Sequence, residues 1–336
     1  MRKIRIAQIG TNTHSHAPWV FESLKKQSDL FEIVGYALPE NERERLDPSK
    51  WEIFNGYREM TVDEILGDPT IEAVAVETDE IYLTKYATLA AKHGKHIHME
   101  KPGGIDLAEF ETMIETVRES GVVFHTGYMY RYNPAVRDLL AKIKAGDLGE
   151  IVSIDAQMSC IQSEFVRHWL KTFPGGMMFF LGCHLIDLIM QIKGVPQNVI
   201  SLNVSTGLDG TQSEDIGFAV LQYPNALCTA KTSAVEFGGF SRRTLFVSGS
   251  KGSVELCPLE MYAPGENGSS YLYTEQITHT NHSWHDRGTK EQSEYYDRYD
   301  DMMASFAAMV RGEKTNPYTL DYELELYRTV LKCCGV

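Results

Sequence analysis

The fold is decided at residues 4–10, which read IRIAQIG. This short apolar run ends at a glycine, a pattern typical of a strand buried in a parallel sheet. A polar loop follows, and a helix is predicted from Pro18, a residue that suits the first helical turn. Strand, glycine turn and helix in this order predict the first unit of a nucleotide-binding fold.

Strands and helices alternate from this segment to about residue 126. Further strands are predicted over 31–38, 71–76, 96–99 and 122–124. Helices are predicted over 61–67, 80–93 and 106–120, two of them with an acid three residues after a capping side chain. Repeated β-α-β units of this length predict a parallel sheet with helices on both faces.

The pattern changes near residue 127. Helices are predicted over 134–144, 176–192, 301–310 and 321–332, and several strands are joined by turns at 223–225 and 248–252. Residues 264–297 show no clear periodicity and are predicted to be a long surface loop. We therefore predict a Rossmann-type α/β domain over 1–126 and an α+β domain with a mostly antiparallel sheet over 127–336.

The composition argues against two classes of partner. The 336 residues carry 46 acids and 32 bases, a net charge of -14, whereas a nucleic-acid binder needs a basic face. No uncharged apolar stretch reaches the roughly 18 residues of a membrane span. The six cysteines form no CxxC pair or metal-ligand spacing, which favours reduced thiols in the cytoplasm. We expect neither nucleic acid nor membrane as a partner.

The loop after the first strand has one glycine of the GxGxxG pattern. It reads GTNTHS over 10–15, and such loops bind pyrophosphate through backbone N–H groups. Asparagine tolerates left-handed backbone angles, so the turn stays feasible at Asn12. A strand-turn-helix without a nucleotide is the competing interpretation. The loop residues expected to contact a cofactor are Gly10, Thr11, Asn12, Thr13 and His14.

The second strand ends without the acidic residue that binds the adenosine ribose in this fold. Leu38 occupies that place, followed by Pro39 and Glu40. Either Glu40 takes over the role or the ribose is held less specifically. The choice between NAD and NADP therefore stays open.

The fourth strand runs into the sequence HIHMEKP over 96–102. Ligands bind at the carboxyl ends of parallel strands, which is where Lys101 falls. A partly desolvated lysine there is suited to act as a general acid or base. Pro102 fixes the following backbone and suits a cis peptide bond. A surface lysine in a strand-to-helix loop is the competing interpretation.

A second chemical motif reads GGMMFFLGCHLID over 175–187. In a helix, Gly176, Phe180, His184 and Asp187 share one face. His184 is suited to exchange a proton with a substrate hydroxyl, with Asp187 orienting it. Alternatively, His184 is a buried structural histidine paired with Asp187.

Several further side chains are candidates for the same cleft. His168 and Trp169 are suited to form a wall against the apolar face of a sugar, and Tyr128, Tyr130 and Arg131 lie at the domain border. His98 and His125 end strands on the Lys101 rim. With His184 they raise the question of a metal, but no ligand spacing such as HExxH supports one, so no metal is predicted. The histidines at 279, 282 and 285 are interpreted as part of a solvated or interface loop.

Together these motifs resemble the family of glucose–fructose oxidoreductase, inositol dehydrogenase and MocA-like oxidoreductases. The resemblance covers nearly the whole chain and rests on EKP at 100–102 and GxHxxD at 182–187, in this order and spacing. It implies two-domain NAD(P)-dependent enzymes that act mostly on sugars and cyclitols. It also implies dimers or tetramers packed through the open face of the second sheet, a catalytic lysine at Lys101 and a catalytic histidine at His184.

The chain departs from the family pattern at three places. Phe180 stands where the family has an aspartate, and Leu38 stands where it has the ribose-binding acid. The Thr-Pro-Asn segment after the third strand reads Thr78-Asp79-Glu80. Losing the carboxylate at 180 removes a partner for substrate hydroxyls and makes that side of the pocket more apolar.

We therefore expect a cytoplasmic NAD(P)-dependent oxidoreductase that transfers hydride between a sugar, cyclitol or derivative and nicotinamide, and forms a homodimer or homotetramer. The alternative is a catalytically impaired member that binds a nucleotide or sugar. Cofactor contacts are also expected at Leu38, Thr78, Glu100 and Lys101. Substrate contacts are expected at Tyr128, Arg131, His168, Trp169, Phe180, His184 and Asp187.

Overall fold

The computed structural model describes residues 2–12, 14, 16–265 and 270–336. The chain forms two compact units, one of residues 1–129 with 299–324 and the other of residues 130–298 with 325–336. The first border lies close to the predicted one at residue 126. The prediction did not include the return of residues 299–324 to the first unit.

The first unit is built on a five-stranded sheet in the order β2-β1-β3-β4-β5, with every pair parallel. Its strands are β1 (Ile4–Ile9), β2 (Phe31–Ala37), β3 (Ala73–Val76), β4 (His96–Met99) and β5 (Phe124–Thr126). All four residues of β3 are buried, because helices cover both faces of a doubly wound sheet. The predicted Rossmann-type fold is confirmed.

The helices of this unit begin where the sequence supplies caps. They are α1 (Ala17–Lys26), α2 (Glu42–Arg45), α3 (Val62–Gly67), α4 (Leu83–Lys92) and α5 (Leu107–Ser120). At α3 the Thr61 hydroxyl accepts from the Glu64 N–H, and the Glu64 carboxylate accepts from the Thr61 N–H. At α5 the Asp106 carboxylate accepts from the Glu109 N–H.

The order of the strands locates the ligand edge of this sheet. The chain runs to opposite sides of β1, with β2 on one side and β3 on the other. Ligands bind in the crevice at such a reversal, outside the carboxyl ends of the strands. The loops that begin at residue 10 and residue 77 lie at this point, and the loop after β4 is their neighbour.

The second unit contains an eight-stranded sheet in the order β15-β14-β11-β10-β6-β9-β8-β7, together with the pair β12-β13. Only β6 and β9 pair in parallel among these described strands, so the sheet is mostly antiparallel, as predicted. Its strands are β6 (Ile151–Ser159), β7 (Asn198–Ser201), β8 (Ile216–Tyr223), β9 (Ala226–Ser233), β10 (Thr244–Gly249), β11 (Ser253–Leu256), β12 (Met261–Pro264), β13 (Ser270–Tyr273), β14 (Glu275–His279) and β15 (Thr289–Gln292).

The helices of the second unit are α6 (Pro134–Ala145), α7 (Glu164–Trp169) and α8 (Cys183–Lys193). α8 packs against β6 and β9. A π-helical turn, Met178–Gly182, precedes it, so the helix predicted over 176–192 changes its winding within the motif that carries His184. Such turns recur at functional sites.

The prediction of one long surface loop over 264–297 is wrong. β13, β14 and β15 lie in this stretch and add two strands to the edge of the main sheet. All four side chains of β15 are exposed, so the strand carries no apolar alternation and is held by main-chain pairing to β14.

Two helices complete the chain, α9 (Asp300–Val310) and α10 (Leu320–Cys334). α9 packs against α1 in the first unit, where the Ser23 hydroxyl donates to Asp300 Oδ1 (2.7 Å). This packing explains why the segment after residue 299 belongs with the Rossmann sheet.

Candidate active site

The loop after β1 is tied to the end of β3. Gly10 has a φ of +87°, and a Cβ there would lie 2.8 Å from Thr78 Cα, so only glycine fits. The Asn12 side-chain amide donates to the Thr78 carbonyl (3.0 Å), and the Thr11 N–H donates to Glu42 Oε2 (3.1 Å). The loop is therefore a tight turn at the reversal of strand order.

The turn continues from Asn12 to His14. The His14 N–H donates to Asn12 Oδ1 (2.7 Å), which continues the turn. Burial, helped by the charge of Lys50, lowers the pKa of His14 to about 4, so its imidazole is neutral at pH 7. Thr13, a predicted cofactor contact, and Ser15 lie outside the described residues.

The acid nearest the loop is not the one that the sequence suggested. The Glu40 carboxylate accepts from Lys85 Nζ and Tyr86 Oη, and Leu38 is half-buried. Glu42 is fully buried, and burial raises its pKa to about 9, so it is a neutral acid at pH 7. Its second oxygen, Oε1, is buried without a hydrogen-bond partner among the described atoms.

These features fit a dinucleotide. A glycine permits close backbone approach at the turn, and an uncharged carboxyl at Glu42 does not repel a pyrophosphate. The unused Oε1 leaves a buried hydrogen-bonding atom near the end of β2, the end of the sheet where the adenosine ribose binds in this fold. Glu42 lies four residues after Leu38, the position at which the sequence pattern places the ribose contact.

Lys101 lies directly after β4 in a buried ion pair. Its side chain is 3% exposed, and Nζ lies 3.7 Å from Glu100 Oε1. Burial raises the pKa of Glu100 to about 7, against the opposing effect of Lys101. The Lys101–Pro102 peptide is cis, as expected. The surface-lysine interpretation is therefore wrong.

Two further acids lie at the same edge of the sheet. Glu77 follows β3 directly, Glu80 begins the next helical turn, and both are buried. Neither was predicted as a site residue, although a charge directly after the apolar strand AVAV is a signal.

His98 and His125 pair with each other beneath this edge. Their Nδ1 atoms lie 2.8 Å apart, and His125 stacks on Phe306 with ring centroids 5.5 Å apart. Burial lowers the pKa of His98 to about 3, so its ring is neutral. Within the described residues, no group of three or more His, Cys, Asp or Glu side chains is placed to hold a metal.

In the second unit, His184 lies in the first turn of α8 and is 1% exposed. The Tyr130 ring meets it edge to face, with centroids 5.1 Å apart. Gly176, two residues before the π-helical turn, has a φ of +46°, and a Cβ there would lie 2.4 Å from the Glu214 carbonyl. The glycine thus permits the approach that places the His184 helix.

Asp187 is held by a buried arginine. Arg131 Nη2 donates to Asp187 Oδ1 (2.9 Å) and Arg131 Nε to Oδ2 (3.0 Å), and the Gln191 amide donates to Oδ2 (2.9 Å). Both charged side chains are 1% exposed. Two predicted substrate contacts, Arg131 and Asp187, therefore form a compensated pair one turn from His184.

A second buried cluster beside Tyr130 was not foreseen. Glu260 accepts from Tyr130 Oη (2.5 Å), Arg243 Nη1 (2.8 Å) and Arg298 Nε (3.1 Å). Although burial opposes ionisation, Arg298 and Arg243 lower the pKa of Glu260. The cluster holds Tyr130 in place against His184. Its members are far apart in sequence, so no local pattern marks them.

Phe180 joins an aromatic wall in the second unit. Its ring meets Trp169 edge to face at 5.3 Å, and Trp169 meets Phe173 at 4.7 Å. Phe180 and Trp169 are both part-exposed.

The other predicted substrate contacts lie outside this aromatic wall. His168 points away from it, with Nε2 3.1 Å from the Asp209 carbonyl oxygen. In the first unit, Tyr128 is 1% exposed.

Fold and site together define an oxidoreductase built on an NAD-binding Rossmann domain. Residues 4–128 match the family model described as "Oxidoreductase family, NAD-binding Rossmann fold", and residues 136–255 match "GFO/IDH/MocA C-terminal domain". The chain belongs to the GFO/IDH/MocA oxidoreductase family. None of the helices in the described part of the chain has the length and apolar character that crossing a bilayer requires.

Relatives with known activities are similar over part of their length. The chain is 28% identical to scyllo-inositol 2-dehydrogenase (NAD(+)) of Bacillus subtilis over 165 residues, 46% of this chain and 47% of the relative. It is 25% identical to trans-1,2-dihydrobenzene-1,2-diol dehydrogenase of Bos taurus over 245 residues, 70% of each chain. The crystal structure of aldose-aldose oxidoreductase from Caulobacter crescentus has the same fold, with a TM-score of 0.76, 18% identity and coverage of 99% and 96%.

Proposed function

We propose that this protein is an NAD(P)-dependent dehydrogenase that acts on a secondary alcohol of a sugar, cyclitol or related ring diol. The observation that carries the proposal is Lys101, a buried lysine paired with Glu100 at the carboxyl edge of a parallel sheet. The kinship with inositol and dihydrodiol dehydrogenases supports a CH–OH substrate.

The first unit would hold the cofactor. Gly10 allows close approach of the pyrophosphate, and Glu42 would hold the loop from below by accepting from the Thr11 N–H. Thr78 and Asn12, which are hydrogen-bonded to each other, would line the cofactor site beneath the pyrophosphate. Bound nicotinamide supplies the hydride acceptor or donor.

Lys101 would exchange the proton of the substrate hydroxyl. The amine Nζ takes the proton when the alcohol is oxidised and returns it when the carbonyl is reduced. Glu100 supplies the counter-charge 3.7 Å away, which keeps an ammonium tolerable in a buried site.

His184 would position the substrate from the second unit. Its imidazole is fixed by α8 and by the edge of the Tyr130 ring, so it presents a hydrogen-bonding group in a defined direction. Asp187 would not bind the substrate directly, because its carboxylate is neutralised by Arg131. It would hold Arg131 in place beside the substrate.

The substrate would have an apolar face or edge. Phe180 and Trp169 offer aromatic carbon where a hydroxyl-binding aspartate stands in the family pattern, and such rings pack against C–H faces of sugars and cyclohexane rings. This favours a ring with few hydroxyls on the side that meets Phe180.

The second sheet would form the contact between copies of the chain. Apolar side chains are exposed on its strands and flanks at Val152 (43%), Ile200 (46%), Leu202 (55%) and Leu227 (53%). Such exposure is typical of an interface and supports a homodimer or homotetramer. Leu227→Glu should lower the mass measured by light scattering, whereas an exposed change elsewhere, such as Glu115→Gln, should not.

A cytoplasmic location fits the thiols. The six cysteines all lie within the described ranges and form no disulfide. Reduced thiols are what a cytoplasmic enzyme carries.

Turnover of a panel of sugars, inositols and ring diols with NAD and NADP tests the function. Lys101→Met should lower kcat/KM by about 10²- to 10⁴-fold, because it removes the proton-transfer group and keeps its volume. Lys92→Met, at an exposed site before the same strand, is the matched control. Cofactor binding without turnover of any alcohol would instead favour a binding protein, and unimpaired Lys101→Met would contradict the role of the lysine.

A further inference from the structure

Three buried glutamates, Glu77, Glu80 and Glu100, lie with Lys101 at the carboxyl edge of the first sheet. Glu77 and Glu100 directly follow the paired residues Val76 of β3 and Met99 of β4, so their backbones lie side by side. Glu80 begins the helical turn after β3. Their exposures are 0%, 2% and 2%.

One lysine does not balance three ionised acids. Lys101 pairs with Glu100 and lowers the pKa of each of the three carboxyls, but burial outweighs it. Burial, with the charge of Glu100, raises the pKa of Glu77 well above its ordinary value of 4.5, and burial raises that of Glu80 to about 8. At pH 7 Glu80 therefore holds a proton, and burial shifts Glu77 in the same direction beside the Lys101–Glu100 pair.

Glu77 is costly as a purely structural residue. Neither of its carboxyl oxygens has a hydrogen-bond partner among the described atoms. His98 Nε2 lies 3.6 Å from Glu77 Oε1, and the His98 ring is neutral and hydrogen-bonded at Nδ1 to His125. A buried unsatisfied polar group costs about 1–3 kcal/mol, so an apolar side chain would be more stable here.

We propose that Glu77 is the proton-exchange partner of Lys101, so that the proton used at the substrate is stored inside the first unit. This inference rests on the proposed dehydrogenase function. In the reducing direction, the Lys101 N–H bond breaks as the proton passes to the substrate oxygen, and the Glu77 acid then returns a proton to Nζ and becomes a carboxylate. In the oxidising direction the transfers run backwards: a Glu77 carboxylate takes a proton from the Lys101 ammonium, and the neutral amine then takes the hydroxyl proton. A proton exchanged with water returns Glu77 to its starting form after each turnover, and no electrons move within the pair.

Charge and position support Glu77 over the other acids. Glu100 is the counter-ion of Lys101. If Glu100 took up a proton, the Lys101 ammonium would lose its ion-pair partner. Glu80 has one bonded and one unbonded carboxyl oxygen, whereas Glu77 has both unbonded. A carboxyl with no fixed partner is the one whose proton is available for transfer.

The test compares wild type, Glu77→Gln, Glu77→Asp and the exposed control Glu115→Gln in the full-length chain. Three readouts are used: infrared bands of protonated carboxyls, NADH binding by fluorescence, and kcat/KM against pH in H₂O and D₂O. Glu77→Gln should remove one carboxylic-acid band at pH 7 and keep NADH affinity within about twofold. It should lower kcat by about 100-fold, the scale of general acid–base catalysis, and alter the pH profile.

Glu77→Asp keeps the carboxyl and should recover part of the rate and the wild-type shape of the profile. An unchanged pH profile and solvent isotope effect in Glu77→Gln would overturn the inference, even with a lower rate, because a structural role predicts that result. Failure of the proposed function shows differently: wild type would then not turn over any alcohol on the panel, and both proposals would fall together.

Discussion

Glu260 in the second unit and Glu77 in the first are both buried carboxyls, yet the pKa of Glu260 is lowered and that of Glu77 is raised. Burial acts on both in the same direction. The difference lies in their neighbours, because Arg298 and Arg243 bind Glu260, whereas Glu77 lies beside another acid, Glu100. Equal burial thus accompanies a lowered carboxyl pKa where arginines bind the group and a raised one where another acid lies beside it.

The contrast extends to the whole of each candidate site. In the second unit Asp187 is also matched by Arg131, so the groups around His184 and Tyr130 form a rigid, charge-compensated scaffold. In the first unit the acids near Lys101 exceed their cations. We infer that the second unit is built for positioning and the first for proton exchange, which matches the roles proposed for His184 and Lys101.

The largest expected effect comes from removing the compensation of Glu260. Arg243→Met leaves this carboxyl with one arginine instead of two and should lower the free energy of unfolding by about 3–5 kcal/mol, measured in urea. Arg58→Met breaks an exposed pair with Glu64 and should cost less than about 1 kcal/mol.

The free energy of unfolding should also depend on pH through the ionisation of Glu260. Because the folded pKa of Glu260 lies below its ordinary value of 4.5, its stabilisation is present above pH 4.5 and is lost as pH falls through the folded pKa. In Arg243→Met this acid-side loss should shrink. A variant as stable as wild type, with the same acid sensitivity, would show that the arginines do not control Glu260.

At Glu80 we expect a smaller change in stability with the opposite pH dependence, because its pKa is raised and not lowered. Its folded pKa of about 8 lies above the ordinary value of 4.5, so its contribution to stability is full below pH 4.5 and declines as pH rises to about 8. Glu80→Gln cannot ionise and should remove this decline, which makes the variant more stable than wild type above pH 8 by about 1–3 kcal/mol.

Urea unfolding across this pH range measures the effect, and the exposed Glu115→Gln serves as the control. Parallel curves for Glu80→Gln and wild type would mean that Glu80 is ionised in the folded protein. The comparison between the two units would then rest on Glu77 alone.

The sequence predicts the first sheet well for a physical reason. Strands buried on both faces, such as Ala73–Val76, must be apolar throughout, and that run is visible in the sequence. Thr289–Gln292 is an edge strand with exposed side chains, so its pairing leaves no mark in residue type. Prediction therefore fails where main-chain hydrogen bonds alone define the element.

The same distinction applies to the candidate site. Lys101 and His184 lie in local motifs and were predicted from them. The burial of Glu42, Glu77 and Glu260 was not predicted, because an acid in a sequence is expected at the surface until its burial is known. What decides their state is the set of neighbours from distant segments, such as Arg298 beside Glu260.

The smallest expected change in stability tests whether the second unit accepts an acid without a matching arginine. Phe180→Asp loses the edge-to-face contact with Trp169, worth about 0.5–1.5 kcal/mol. Because Phe180 is part-exposed, a carboxylate there can keep contact with water and avoid the desolvation that Glu77 experiences. The variant should therefore unfold only about 1 kcal/mol more easily than wild type.

Its effect on selectivity should be larger than its effect on stability. An aspartate at 180 adds an acceptor for substrate hydroxyls, so kcat/KM should shift by about tenfold, on the scale of one hydrogen bond, toward inositols and away from ring diols with an apolar edge. Phe180→Leu, which keeps an apolar side chain, should leave that ratio near the wild-type value. If Phe180→Asp unfolds as readily as Arg243→Met, position 180 is enclosed by the fold, and its aromatic ring supports the unit instead of facing the substrate.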